Sequence, residues 1–452
     1  MPRTRWGGVA DGYFRPGRYF RIAQRDAVFW LIDPDGGRFL SKGVNTVRFD
    51  QDQIQNSERI PYAEACQRKY GSQAAWRAAV AARLTGWGFN TLGTWSDETV
   101  ANACSAPLAV APNLDLGMSF AWAKNDVTKS KPWQDFPDVF DADFDRHVRG
   151  RALGLCKGRR NDQNILGWFI DNELRWGPDW RGLDELLILF LGLRPTTPGR
   201  TAALTWLRGR YPDFENFNTI WRTPVQSWDA LHTQTRIEPP HRRNPIYQRD
   251  AREEVAANRT DPARAAFFAD CDEFAALAGE RYFDMTIAAI KAADPHHLVL
   301  GCRFACVPSS GVIEAAARHT DVISLNCYDP DASLVIEPYV ATGKPCLVSE
   351  FSFRSADSGL PNTNGAGPVV ATQVERAASF RSYATSALRN PAIVGFHWFE
   401  HADQPAEGRF DGENSNFGMV SITDDVYEEL TQAMTSVNAE AEALHASTAP
   451  VA

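Results

Sequence analysis

The chain has 452 residues, 44% of them hydrophobic and 23% charged, with a formal net charge of −9. This is an ordinary globular composition, long enough for one barrel with elaborations, since barrels of about 250 residues routinely grow past about 400. The negative balance argues against a nucleic-acid partner, which needs a basic surface. No run of about 18 apolar residues exists, which argues against a membrane-spanning helix.

The first twenty residues carry arginines but no apolar stretch of the secretory type, so the expectation is a cytoplasmic protein. Residues 19–32 (YFRIAQRDAVFWLI) predict a β-hairpin, followed by the turn Asp33-Pro34-Asp35-Gly36-Gly37. Residues 1–38 are read as an N-terminal hairpin region. Eight short apolar strand candidates then recur: 39–45, 89–95, 114–120, 165–173, 297–304, 321–329, 345–351 and 393–399. Continuous apolar runs are what buried parallel strands require. Helix candidates lie between them at 75–85, 272–293 and 372–389. In the second of these Phe274, Leu277, Tyr282, Met285 and Ala289 share one face, and Asp294-Pro295 marks its end. Eight strands alternating with helices predict a (β/α)8 TIM barrel, read as one catalytic domain over 1–452. A doubly wound sheet is the alternative, but it lacks a glycine-rich fingerprint.

Residues 174–271 are too long for a simple connection. They hold helix-like pieces at 183–192, 198–209 and 214–230 and a Pro- and Arg-rich loop at 237–245. The insertion follows a strand, so it is expected on the C-terminal face, where barrels build their active sites. Trp176, Trp180, Trp206, Trp221 and Trp228 lie in it. Some can stack on sugar rings, but most are expected to pack the insertion's own core. Eight scattered cysteines, several inside apolar runs, read as reduced thiols, and Cys302 and Cys306 lack a second pair at zinc spacing. No metal and no cofactor is expected.

Two carboxylates end strand candidates: Glu173 closes ILGWFIDNE, and Glu350 lies in PCLVSEF. Hydrolysis of a glycosidic bond with retention needs two carboxyl groups about 5–5.5 Å apart. One protonates the leaving oxygen and then activates water; the other attacks the anomeric carbon. Either glutamate alone is more often a surface or capping residue. Together, at the ends of the fourth and seventh candidates, they form a plausible pair of acid/base (Glu173) and nucleophile (Glu350). Asn172, beside the acid, has an amide suited to a sugar hydroxyl near the anomeric centre.

Four stretches carry a resemblance: residues 30–45 (WLIDPDGGRFLSKGVN), 167–177 (GWFIDNELRWG), 211–231 (YPDFENFNTIWRTPVQSWDAL) and 395–427 (GFHWFEHADQPAEGRFDGENSNFGMVSITDDVY). The chain resembles clan A glycoside hydrolases, most of all families 42 and 50, the β-galactosidases and β-agarases. The resemblance implies a retaining, exo-acting β-glycosidase, and the expectation of no secretory signal fits trimming of short imported oligosaccharides or glycosides better than attack on an extracellular polymer. It also implies that Tyr328, at the end of the sixth strand, hydrogen-bonds the nucleophile. Agarases of this type carry an extra N-terminal β-domain and family 42 enzymes carry C-terminal domains, and neither is found in this sequence.

Trp398, ending the eighth strand, is a candidate stacking floor, with a core tryptophan as the alternative. Arg48 and Trp95, after the first and second strands, are candidate sugar contacts. His397 is expected to be a packed core histidine. Glu400, Asp403, Arg409, Asp411 and Glu413 lie in the last long loop, where charge ordinarily means solvation. A transglycosylase using the same glutamates and a carbohydrate-binding pseudo-enzyme are the competing readings. An aldolase would need a strand-end lysine, and neither Lys42 nor Lys344 is placed for that role. A homo-oligomer is left open.

Overall fold

The computed structural model describes residues 2–124, 136–234, 237–245 and 251–448. Strands β1 (Arg21–Arg25) and β2 (Val28–Ile32) pair antiparallel, as expected, with Asp26 and Ala27 in the left-handed region at the turn. After the Asp33–Gly37 turn, β3 (Arg38–Phe39) adds to β2.

The parallel strands are β4 (Ser41–Val44), β5 (Thr91–Leu92), β6 (Ala109–Val110), β7 (Gly167–Phe169), β8 (Leu298–Gly301), β9 (Ile323–Asn326) and β10 (Cys346–Phe351). A short pair, β11 (Arg354–Ser355) and β12 (Val369–Val370), precedes the last of them, β13 (Ile393–Trp398). Six strands form one sheet in the order β6-β5-β4-β13-β10-β9, and β7 pairs with β8 in a second. Single parallel bridges, Val110–Ile165, Asn113–Phe169 and Phe304–Leu325, join the edges of the two sheets. The fold is therefore mixed α/β with parallel sheets, and the ladder is not the continuous closed one that the alternation predicts. Local backbone accounts for the breaks. Pro112 has no N–H to donate, and Gly301, the last residue of β8, and Arg303 take positive φ before the bridge at Phe304.

One strand is misplaced in the sequence reading. The apolar run at 114–120 is mostly helix (Leu116–Lys124), and the third strand is β6, just upstream. The buried Asp171 carboxylate accepts the amides of Gly117 (2.7 Å) and Met118 (2.8 Å) and so caps that helix. A partner more than fifty residues away decided between strand and helix, and no local pattern could have done so.

The helices at 75–85 and 372–389 are found as Gln73–Gly86 and Gln373–Leu388. The third starts ten residues early, as Pro262–Ala293, with Asp261 as N-cap and Pro262 in its first turn. Its Phe274 and Tyr282 are buried, but Leu277 is 38% exposed. The insertion contributes helices Leu186–Leu191, Pro198–Arg210, Phe214–Trp221, Trp228–Thr233 and Ala251–Thr260. Its residues 235–236 and 246–250 lie outside the described ones. The predicted helix 214–230 is broken at Arg222, which takes a left-handed φ of 50°. No helix among the described residues is long and apolar enough to cross a membrane.

A compact apolar cluster draws on most of the parallel strands, with Ala109, Leu166, Phe169, Leu298, Leu300, Leu347 and Val394 packed against Trp6, Phe20 and Phe39. The strand interior is thus filled by side chains, which leaves the C-terminal strand ends as the place for chemistry. Outside the sheet, Lys42 of β4 is 3% exposed and pairs with Glu442 of the last helix (2.8 Å), which also meets Arg3 (2.8 Å). Removing one member of a buried pair strands the other. Lys42→Met is therefore expected to lower the unfolding free energy by about 3 kcal/mol, and adding Glu442→Leu to recover part of it. Denaturant unfolding followed by circular dichroism checks both; unchanged stability of Lys42→Met would contradict the pairing.

Candidate active site

Beyond β7 the chain runs Ile170-Asp171-Asn172-Glu173. Asp171 turns away and is fully buried, bonded to the helix amides above and to the Tyr282 hydroxyl (2.6 Å). Burial and the charge of Asp115 push its pKa up to about 7. Glu173 takes a left-handed φ of 53°. Its N–H donates to the Arg303 carbonyl (3.2 Å), and its own carbonyl accepts from Arg181 Nη1 (2.9 Å). Its backbone is thereby held from both sides.

The amide of Asn326 holds the acid. Its Nδ2 donates to Glu173 Oε1 (2.8 Å) and to Asn172 Oδ1 (3.0 Å), while its Oδ1 accepts from the Ser349 hydroxyl (2.8 Å). Asn326 is also the register partner of Glu350 across β9 and β10. Adjacent parallel strands therefore carry Glu350 and the group that orients Glu173.

Glu350 is 5% exposed and accepts two hydrogen bonds, from Tyr328 to Oε1 (2.6 Å) and from Arg303 Nη2 to Oε2 (2.5 Å). Both partners are donors, which suits a carboxylate. Arg303 is fully buried; it also donates to the Ser349 carbonyl (3.1 Å) and lies 4.8 Å from the Trp95 ring.

Charge in this small space separates the two acids. Burial first, and then the negative charge of Glu350, push the Glu173 pKa up to about 7, against the opposing pull of Asn326, Arg181 and Arg303. Burial and the same two glutamates hold the Tyr328 phenol well above its ordinary value. Glu173 is therefore substantially protonated near neutrality.

Of the residues singled out in the sequence, Glu173, Glu350, Asn172, Tyr328 and Trp95 come together here. Two candidates do not. Trp398 is 0% exposed, its indole donating to the Phe417 carbonyl (3.0 Å) and its ring packed edge-on against Phe351 and Phe380. It is a core tryptophan rather than a stacking floor, because the chain beyond β13 folds back over it. Arg48 is bidentate on Asp50 (2.8 and 2.7 Å) and not on the glutamates. His397 is a packed histidine, as expected, bonded to Ser41 Oγ (2.8 Å) and held neutral by burial and the charge of Arg303, with a pKa of about 3.

The loop after β13 departs from the solvated face its charge suggests. Arg409 pairs with Glu413 (2.7 Å) and Asp411 (3.1 Å) and stands 3.7 Å from both Asp52 and Glu400. Gln404 joins Glu400 (3.0 Å) to Glu413 (2.9 Å), and Asp403 is tied down by Asn416, Gly418 and Tyr427. The charge of Glu413 reaches both Glu350 and Tyr328. The sequence reading also missed Arg303, Asn326 and Arg181. For the first two a signal existed, a charged or amide side chain inside the apolar runs HLVLGCRF and DVISLNCYD.

No protein-family model matches the chain. It is similar to β-agarase B of Vibrio sp. (strain JT0107), with 28% identity over 97% of this chain and 50% of that protein. β-Agarase A of the same strain is 32% identical over 94% of this chain and 46% of the relative. The chain thus spans about half the length of the curated relatives it matches. Among solved structures, an exo-β-agarase superposes with a TM-score of 0.77 at 23% identity, covering 98% of this chain and 68% of the other. That likeness shows a shared fold.

The electrostatic reading has a direct check. By carbon-13 NMR, the Glu173 carboxyl is expected to titrate near 7, and in Glu350→Gln to move back toward 4.5 because the neighbouring charge is gone. A value near 4.5 in the parent would contradict it.

Proposed function

We propose that this protein is a glycoside hydrolase that cleaves β-linked, galactose-containing oligosaccharides of the kind agarases take, by double displacement. The observation that carries the reading is the Glu173 carboxyl, raised to about 7, close to a Glu350 whose two carboxyl oxygens each accept from a donor. Unlike protonation states on two neighbouring carboxyls are what acid and nucleophile roles require.

In this reading Glu350 attacks the anomeric carbon while protonated Glu173 gives its proton to the departing oxygen. A glycosyl-enzyme forms on Glu350. Glu173, now a carboxylate, takes a proton from the water that attacks the same carbon, which restores both groups. Tyr328 and Arg303 orient the nucleophile, and Asn326 orients the acid. Asn172 is assigned to a hydroxyl next to the anomeric carbon and Trp95 to the sugar's face.

The two parallel sheets are taken as an interrupted (β/α)8 barrel of clan A type, related to families 42 and 50 and forming one catalytic domain. The insertion at 174–271 is taken as a wall that limits the enzyme to chain ends. Eight free cysteines support a reducing compartment, so the substrate is taken to be a short imported oligosaccharide in the cytoplasm.

Removing the nucleophile tests the reading. Glu350→Gly is expected to lose several orders of magnitude in turnover, and azide to restore part of it while yielding a glycosyl azide of inverted configuration. Turnover close to the parent's, or no azide adduct, would assign the nucleophile elsewhere. Glu173→Ala is expected to slow cleavage of a natural glycoside by about 10²–10⁴-fold, and to slow far less the first step with a leaving group that needs no proton.

A further inference from the structure

Close to Glu173 lies a cleft of about 350 Å³, within the usual size range of small-molecule sites. The segment after Glu173, residues 243–245 of the insertion and the stretch after β8 enclose it, with Leu174, Arg181, Arg243, Pro308 and Ser310 in its lining.

Its charges are already matched. Asp179 holds Arg181 (2.7 Å), and Glu185 (2.7 Å) and Asp272 hold Arg243. Two guanidinium groups against three carboxylates leave no positive surplus for an anion. Leu174, Val307, Pro308 and Ile313 supply apolar wall, and Ser309 and Ser310 supply hydroxyls. That mixture suits a neutral ligand with an apolar face and polar edges.

Trp180 lies in the chain between Asp179 and Arg181, both of which line this cleft. Trp176 and Trp221 of the insertion are 6% and 1% exposed, and Trp206 and Trp228 pack against the core, but Trp180 is 55% exposed. Its ring lies against the Arg181 guanidinium at 4.4 Å. Arg181 in turn lines the cleft and grips the Glu173 carbonyl. An isolated surface tryptophan needs no explanation, but this one is tied through one side chain to the cleft and to the proposed acid.

We propose that Trp180 and this cleft form the subsite for the leaving group, which binds as a neutral sugar residue with its apolar face on the Trp180 ring. The proposal rests on Glu173 being the acid. The attacked sugar then sits over Glu350 and the departing oxygen beside Glu173; Leu174, the next residue, and Arg181, bonded to the Glu173 carbonyl, line the cleft that takes the leaving group.

The test compares kcat/KM for a neutral agarose tetrasaccharide with that for β-galactosyl fluoride, whose leaving group is one atom and reaches no subsite. Trp180→Ala is expected to lower the ratio of the two about tenfold, the scale of one lost aromatic stack with its buried area. Ser310→Trp, which fills the cleft from an exposed position, is expected to lower it similarly. A ratio within twofold of the parent's in both variants overturns the subsite. Failure of the parent to cleave the fluoride would count against the hydrolase reading instead. The subsite is then judged by calorimetric titration of the tetrasaccharide into parent and Trp180→Ala. A tenfold weaker Kd in the variant supports it, and equal affinities overturn it. Unchanged melting temperatures verify that both variants fold.

Discussion

A guanidinium and a carboxylate share a buried site at the ends of β8 and β10, and the candidate centre is arranged around that pair. Arg303 is fully buried and Glu350 nearly so, and taking both from water costs several kcal/mol per ion unless geometry and further hydrogen bonds offset it. The offsets are visible: Tyr328 on the second carboxylate oxygen, the Ser349 carbonyl on the guanidinium, and the rings of Trp95 and Phe169 against it. Each comes from a different strand end, so the pair holds only if those ends converge. The positive φ of Arg303 places it there and at the same time interrupts the ladder after β8. The discontinuity in the sheets and the placement of the charge are two sides of one local conformation.

The negative charge fixed by Arg303 then acts on Glu173. Asn326 holds Glu173 and Asn172 through its nitrogen while its oxygen faces the Ser349 hydroxyl. The Glu173 carboxyl thus acquires a raised proton affinity from its position, first from burial and then from its neighbour's charge. The loop after β13 extends the pattern, with Glu413 pairing with Arg409 while its charge reaches Glu350 and Tyr328.

Glu173 and Glu350 were legible in the sequence because each interrupts or ends an apolar run where a parallel strand stops. The hairpin, and seven of the eight parallel strands, were legible for the same reason of local pattern. What local pattern cannot carry is the identity of a distant partner. The run at 114–120 became helix because Asp171 caps it, and Trp398 became core because Phe417 lies over it. Conversely, Arg303 and Asn326 were polar groups embedded in apolar runs, the kind of residue that burial permits only with partners, and they hold the two glutamates in place.

The account stands or falls on the pairing of Glu173 with Glu350 through a covalent intermediate. The most direct measurement is proton NMR of the first sugar released from a β-glycoside, taken before mutarotation. The account predicts the β-anomer, produced by two successive inversions at one carbon. An α-anomer as the first product would mean that water attacks in a single displacement, with the carboxyl groups working about 6.5–9.5 Å apart, and would remove Glu350 from the role of nucleophile.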